Sequence, residues 1–269
     1  MLGNISIGQF FQGDSFIHRL DPRVKIALTI ALLVDVFLSR GFIGFGLVLV
    51  FILAAAKSTK IGLMYVIRGV KPILFIAIFT FILNLFMQSS GNVLFQWKRI
   101  TITTGGLRTA LYMALRLLLL VISSQLLTLT TSSTSLTDGI ESLMKPAAKL
   151  GMPVHEIAMM MSIALRFIPT LMEEADKIMN AQKARGADFE TGNLFRRARA
   201  LVPLLVPLFI SAFRRADELA LAMEARCYRG GVRRTRLRVM RMGRNDIIAI
   251  CAVAMLTAAI ITLNIIGAV

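Results

Sequence analysis

The chain has 269 residues, of which 56% are apolar and 17% are charged, and its formal net charge is +16. Soluble domains average about 45–50% apolar and about 25% charged residues, so this composition excludes an ordinary soluble domain. The apolar residues form runs close to the roughly 20 residues that a membrane-spanning helix needs. The chain is therefore predicted to be an all-α integral membrane protein.

About five transmembrane helices are predicted, four in the N-terminal part (1–130) and one in the C-terminal part (247–269). Asp21 and Pro22 suit the N-cap and first position of the first helix. Between the third and fourth spans, Val93–Trp97 and Ile100–Thr103 have strand-like composition, which predicts a small hairpin outside the membrane. The predicted spans are 24–39, 42–56, 72–88, 107–130 and 247–266.

Most of the 31 lysines and arginines fall in the N-terminal segment, the 57–71 loop and the block 131–246. Because basic residues are retained on the cytoplasmic side, the N-terminus is predicted to be cytoplasmic and the C-terminus external, in a multi-pass protein of the cell membrane. The positive charge is then explained by topology and by attraction to anionic membrane lipid. No nucleic acid is expected as a partner.

The block 131–246 is predicted to be a cytoplasmic or membrane-surface module of amphipathic helices. A short helix over Leu136–Leu150, interrupted at Pro146, precedes two long helices, His155–Arg185 and Leu194–Arg226. The charges in both long helices disfavour membrane insertion, since each costs roughly 2.5–3.5 kcal/mol at mid-bilayer. The internal prolines 169, 203 and 207 are expected to kink these helices.

The two long helices end in a repeated segment, Glu174–Gly186 and, 41 residues later, Arg215–Cys227. Both copies contain Ala-Asp near the start and Ala-Arg near the end. Taken singly, Arg185 or Arg226 is no more than a solvated or lipid-facing charge. The duplication instead favours two similar contacts with a partner, in which small neighbours allow close approach and each guanidinium binds carboxylates or helix-end carbonyls.

Enzyme signals are absent from the sequence. There is no phosphate-binding G-x-x-x-x-G-K-[ST] loop, and His155-Glu156 lacks the second histidine of H-E-x-x-H. No cofactor, metal site or disulfide is predicted. Asp35, the acid in the first span, is either a proton-relay group or a satisfied polar group near the outer interface. Ten of the fifteen methionines lie in the block 131–246, which fits either helix packing or an adaptable binding surface.

The N-terminal segments Gly8–Phe10, Gly13–Ser15 and His18–Lys25 resemble the opening of the transmembrane coupling subunit (T component) of energy-coupling-factor vitamin transporters, a class of ABC importer. Ala184-Arg185-Gly186 and Ala225-Arg226-Cys227 are similar to the two Ala-Arg-Gly-type motifs of that family. Cys227 departs from the pattern, because glycine is usual there and a left-handed backbone would strain a cysteine.

The resemblance implies a non-catalytic subunit whose two motifs each bind one of two cytoplasmic ATPase subunits. It also implies a separate, interchangeable substrate-binding S component, which packs on the long helices. A conventional ABC permease and a scaffold that holds anionic lipid through the basic block remain the alternatives. The residues expected to contact the S component are Met159, Met160, Met161, Ile168, Leu205 and Leu208.

Overall fold

The computed structural model describes residues 10–59, 61–87, 92–97, 100–189, 193, 195, 199–230 and 240–266. These residues fall into two compact units, one within Gly8–Leu143 and Val239–Val269, the other within Met144–Arg238. The elements in chain order are α1 (Pro22–Leu38), α2 (Phe42–Ser58), α3 (Leu63–Met87), β1 (Val93–Trp97), β2 (Ile100–Thr103), α4 (Thr104–Thr130), α5 (Ser133–Leu143), α6 (Lys145–Ala148), α7 (Val154–Ala184), α8 (Val202–Ala225) and α9 (Arg244–Ile266).

The predicted all-α membrane architecture is confirmed. Four described helices are long and apolar enough to cross a membrane: Arg68–Met87 within α3, and all of α4, α7 and α9. Helices α1 and α2 have 17 residues each, at the lower end of the usual range. Helix α7 has the lowest mean hydropathy of the four. It was not among the predicted spans, because its charged residues disfavour membrane insertion.

The core of the first unit lies among α1, α2, α4 and α9. Its branched side chains interdigitate between helices, and burial of such apolar surface is the main favourable contribution to folding. The buried residues of this core are Leu32, Val36, Phe45, Val48, Ile52, Ala56, Leu119, Leu126, Val253, Leu256 and Ile260.

Local sequence signals set several element boundaries, and those of α1 and the hairpin were predicted. The Asp21 carboxylate accepts a hydrogen bond from the Arg23 backbone N–H at 3.0 Å, and Pro22 begins α1. The Thr103 hydroxyl caps α4 by accepting from the Gly106 N–H. Strands β1 and β2 pair in antiparallel fashion, so the predicted hairpin is confirmed.

The second unit departs from the prediction at Pro203. The predicted helix Leu194–Arg226 is divided by a turn at Leu201, and its start at Leu194 lies outside the described residues. Pro203 occupies the first turn of α8 instead of kinking a helix interior, because a residue without an N–H fits where that donor has no partner. Pro146 lies in the first turn of the short helix α6, so the break between α5 and α6 falls next to the predicted interruption.

Candidate functional site

The ends of α7 and α8 have the same backbone geometry. At α7, Arg185 is the C-cap, the Gly186 N–H donates to the Lys183 carbonyl at 3.0 Å, and the Ala187 N–H donates to the Gln182 carbonyl at 3.0 Å. Gly186 has φ +88°. This pair of bonds with a left-handed residue after the cap is the Schellman motif, which satisfies carbonyls at the helix end.

The end of α8 repeats the motif with cysteine in place of glycine. Arg226 is the C-cap, the Cys227 N–H donates to the Glu224 carbonyl at 2.8 Å, and the Tyr228 N–H donates to the Met223 carbonyl at 3.0 Å. Cys227 has φ +57° and is the non-glycine residue with a positive φ in the described part of the chain. The substitution of glycine by cysteine therefore preserves the turn and places strain in it.

We expect Cys227→Gly to stabilise the end of α8 by about 1 kcal/mol, the approximate cost of a left-handed conformation for a residue with a Cβ. The measurement is hydrogen exchange of the Tyr228 amide, which should slow about fivefold. Cys227→Ser is the matched control, because it keeps the Cβ and should leave the exchange rate unchanged. Equal rates for the glycine and serine variants would contradict the strain.

All six predicted motif residues are exposed: Ala184, Arg185, Gly186, Ala225, Arg226 and Cys227. They are thus accessible at two similar helix ends. The repeat in the sequence predicted this similarity. The backbone hydrogen bonds further show that Arg185 and Arg226 occupy the same position, the C-cap, at the ends of their helices.

Helices α7 and α8 contact each other, and equivalent positions of the repeat meet at this contact. Arg215 Nη2 donates to Glu174 Oε2 at 3.0 Å, across a separation of 41 residues, and the Ser211 side chain also hydrogen-bonds Glu174. Glu174 and Arg215 are the first residues of the two repeated segments. Eleven residues separate each of them from its motif arginine, a helical rise of about 16 Å in both cases.

The residues predicted to contact an S component differ in exposure. Met160, Met161 and Leu205 are exposed, whereas Met159, Ile168 and Leu208 are half-buried. Leu208 shares a face of α8 with Ser211 and Arg215, by its spacing of three and seven residues, and that face contacts α7. The apolar side chains of α8 that are more exposed than Leu205 were not predicted from the sequence. They are Val202, Val206, Phe209, Ile210, Phe213 and Leu221.

In the first unit, the segment before α1 is held by a histidine. His18 Nε2 lies 2.9 Å from the Phe11 carbonyl oxygen, and Nδ1 lies 2.6 Å from the Ser15 hydroxyl. Because a carbonyl only accepts, Nε2 is the protonated nitrogen and Ser15 donates to Nδ1. Burial lowers the pKa of His18, which favours this neutral form. A Cβ on Gly13 would lie 3.1 Å from the ring, so glycine fits there.

A buried polar cluster joins the start of α1 to the start of α9. Asp246 Oδ1 accepts from the Asp21 N–H at 2.8 Å, and its Oδ2 accepts from the Gly243 N–H at 2.7 Å. Arg23 donates to the Met240 carbonyl at 3.1 Å. This joint could not be predicted from the sequence, since its partners lie 225 residues apart. The signal available was the acid three positions after Gly243, the position from which a side chain reaches back to the N-cap.

Asp35 is fully buried in α1 and contacts α9. Its Oδ2 accepts from the Thr257 hydroxyl at 3.0 Å, whereas Oδ1 has no hydrogen-bond partner among the described residues. Of the two carboxylate oxygens of Asp35, Oδ2 therefore fits the interpretation as a satisfied polar group and Oδ1 does not. The contact links two helices of the core.

Comparison with known proteins agrees with the resemblance. The family model CbiQ, described as cobalt transport protein, matches residues 13–237. The chain is 53% identical to an energy-coupling factor transporter transmembrane protein EcfT of Clostridium kluyveri, over 97% of this chain and 98% of that protein. EcfT proteins of Thermosediminibacter oceani and Bacillus subtilis are 56% and 45% identical, over 94% and 96% of this chain and 95% and 97% of their own lengths.

Proposed function

The chain belongs to the CbiQ family and is an EcfT-type transmembrane component of an energy-coupling factor transporter, and from that premise we propose how it works. It is a non-catalytic subunit that couples two ATPase subunits to a membrane-embedded S component. Movement of the ATPases, driven by ATP, is transmitted through α7 and α8 to the S component. The S component in turn releases a vitamin or other micronutrient into the cell.

The observation that supports this proposal is the pair of equivalent helix ends. Arg185 and Arg226 are both exposed C-cap residues, each followed by a left-handed residue. Two ATPase subunits with similar binding sites each need a similar helix end to bind. This chain supplies both helix ends from one polypeptide. A guanidinium at each tip binds carboxylates or carbonyls through its fork of donors. These two tips are the proposed ATPase-binding residues, together with their small neighbours.

The proposed S-component surface consists of the exposed apolar side chains of α7 and α8. Met160, Met161 and Leu205 belong to it, and Phe209 and Phe213 extend it. Flexible methionines suit a surface that accepts several partners. The proposed location is the cell membrane, with a cytoplasmic N-terminus and with residues 131–246 as the coupling module.

Co-purification tests this function. The full chain, tagged and extracted from its native membrane in mild detergent, is expected to bring down two ABC-type ATPase subunits and a small membrane protein. The same complex in proteoliposomes should accumulate its cargo only when ATP is supplied on the cytoplasmic side. Recovery of the chain without any nucleotide-binding protein would contradict the proposal.

A further inference from the structure

An apolar cavity of about 260 Å³ lies within the first unit, among α1, α2, α4 and α9. Small side chains make the space: Ala55 and Ser58 of α2, Ser123 of α4, and Ala252 of α9 all line it. Larger apolar groups such as Leu28, Leu32 and Phe51 surround them. Apolar cavities of this kind do not hold water well and bind apolar molecules instead.

The cavity is confined to one end of its four helices. It is lined by the first turns of α1 and α9 and by the last turns of α2 and α4. Along α1 the lining runs from Lys25 to Leu32, a rise of about 10 Å, which is less than half of a hydrocarbon core of about 30 Å. In the predicted orientation this end faces the cytoplasm. The cavity therefore lies at the depth of the cytoplasmic leaflet.

The mouth of the cavity is marked by the lining residues that remain exposed. Ile248 of α9 is 59% exposed and Phe16 is 38% exposed, and Ala54 and Ser58 of α2 are also exposed. Ile248 lies on the side of α9, Ala54 and Ser58 lie on the side of α2, and Phe16 lies in the segment before α1. An opening bordered by apolar helix sides in a membrane protein faces lipid.

Lys25 supplies a cation in the wall of this apolar space. It is only 6% exposed, and its Nζ donates to the His18 carbonyl at 3.2 Å and to the Thr130 carbonyl at 2.9 Å. An ammonium has three N–H donors, and no carboxylate of the described residues lies within ion-pairing distance of it. Asp246 attracts this ammonium from beyond ion-pairing distance, and both of its carboxylate oxygens already accept backbone N–H bonds. Because a buried cation without a paired anion is costly, the remaining N–H donor of Lys25 favours an anionic ligand.

We propose that this cavity binds an anionic phospholipid of the cytoplasmic leaflet, with one acyl chain between α2 and α9 and the phosphate at Lys25. A single acyl chain is narrow, flexible and apolar, and it is present at high concentration at the mouth. The cavity belongs to the first unit and the motif arginines belong to the second, and occupancy of the cavity does not require the ATPases.

Tryptophan quenching by brominated lipid tests the site in the full-length chain. Trp97 is the one tryptophan of the sequence, so Trp97→Phe gives a silent background in which Phe51→Trp reports on the cavity. In vesicles that mix brominated with unlabelled lipid, brominated phosphatidylglycerol should associate about fivefold more tightly with this reporter than brominated phosphatidylcholine. A second reporter, Phe79→Trp on the exposed surface of α3, should be quenched equally by both lipids.

Filling the cavity should abolish the preference. Ala252→Phe in the reporter background is expected to reduce quenching by phosphatidylglycerol to the level of phosphatidylcholine, and Ala55→Phe serves if that variant does not fold. Ala258→Phe is the matched control, because Ala258 lies on an exposed part of the same helix and should leave quenching unchanged. Lys25→Gln should remove the preference for the anionic lipid. Equal quenching by the two lipids in the original reporter, or an undiminished preference after the cavity is filled, would overturn the proposal.

Discussion

Reversing both motif charges, by Arg185→Glu and Arg226→Glu together, is expected to remove both ATPase subunits from the purified complex. Each arginine is exposed at a helix end with a fixed backbone geometry. In the proposed contact, glutamate would face the carboxylates or carbonyls that the guanidinium binds. Loss of one partner of a buried charged contact costs about 2–5 kcal/mol, so each single variant should weaken binding at least tenfold.

The measurement is the amount of ATPase recovered per chain, together with ATP-dependent uptake in proteoliposomes. Arg214→Glu is the matched control, since Arg214 is an exposed arginine of the same helix and lies away from its end. It should retain both ATPases. If the double variant still binds both subunits and still supports uptake, the assignment of the two arginines is wrong, even where the coupling function itself stands.

Removing the carboxylate of Asp246 is expected to lower the stability of the whole chain. Asp246→Ala would leave the Asp21 and Gly243 N–H groups without the acceptor that now binds both. A buried donor without a partner costs about 1–3 kcal/mol, so the combined loss is about 2–6 kcal/mol. Asp246→Asn should be milder, because its amide oxygen still accepts one of the two bonds.

Thermal unfolding of the purified chain in detergent measures this effect. The expected order of unfolding temperature is wild type, then Asp246→Asn, then Asp246→Ala. Asp217→Ala is the matched control, since Asp217 is exposed on α8 and its removal should change the unfolding temperature little. A wild-type unfolding temperature for Asp246→Ala would show that the joint between α1 and α9 is not important for stability.

Features set by neighbouring residues could be predicted from the sequence. The strand-like composition of Val93–Trp97 and Ile100–Thr103 predicted β1 and β2, and the Asp21-Pro22 pair predicted the start of α1. The repeated segment predicted two similar helix ends, because the same local residues form the same cap. In each case the physical cause lies within a few positions of the chain.

Features set by residues distant in sequence could not be predicted. Lys25 was counted as one basic residue among many, yet it is buried because Thr130, 105 residues away, provides a carbonyl for its amine. The joint at Asp246 depends on a similarly remote partner. The break at Leu201 has a local cause instead. Pro203 was predicted to lie in a helix interior, but it lies in the first turn of α8, the position that proline tolerates best.

The contact between Glu174 and Arg215 gives α7 and α8 arms of equal length. Because each motif arginine lies about 16 Å beyond this contact, a change of about 10° in the angle between the helices would move each tip by about 3 Å relative to the contact. Neither ATPase would then have mechanical advantage over the other. In the proposed function, equal movements of the two ATPase subunits would therefore turn α7 and α8 by equal angles.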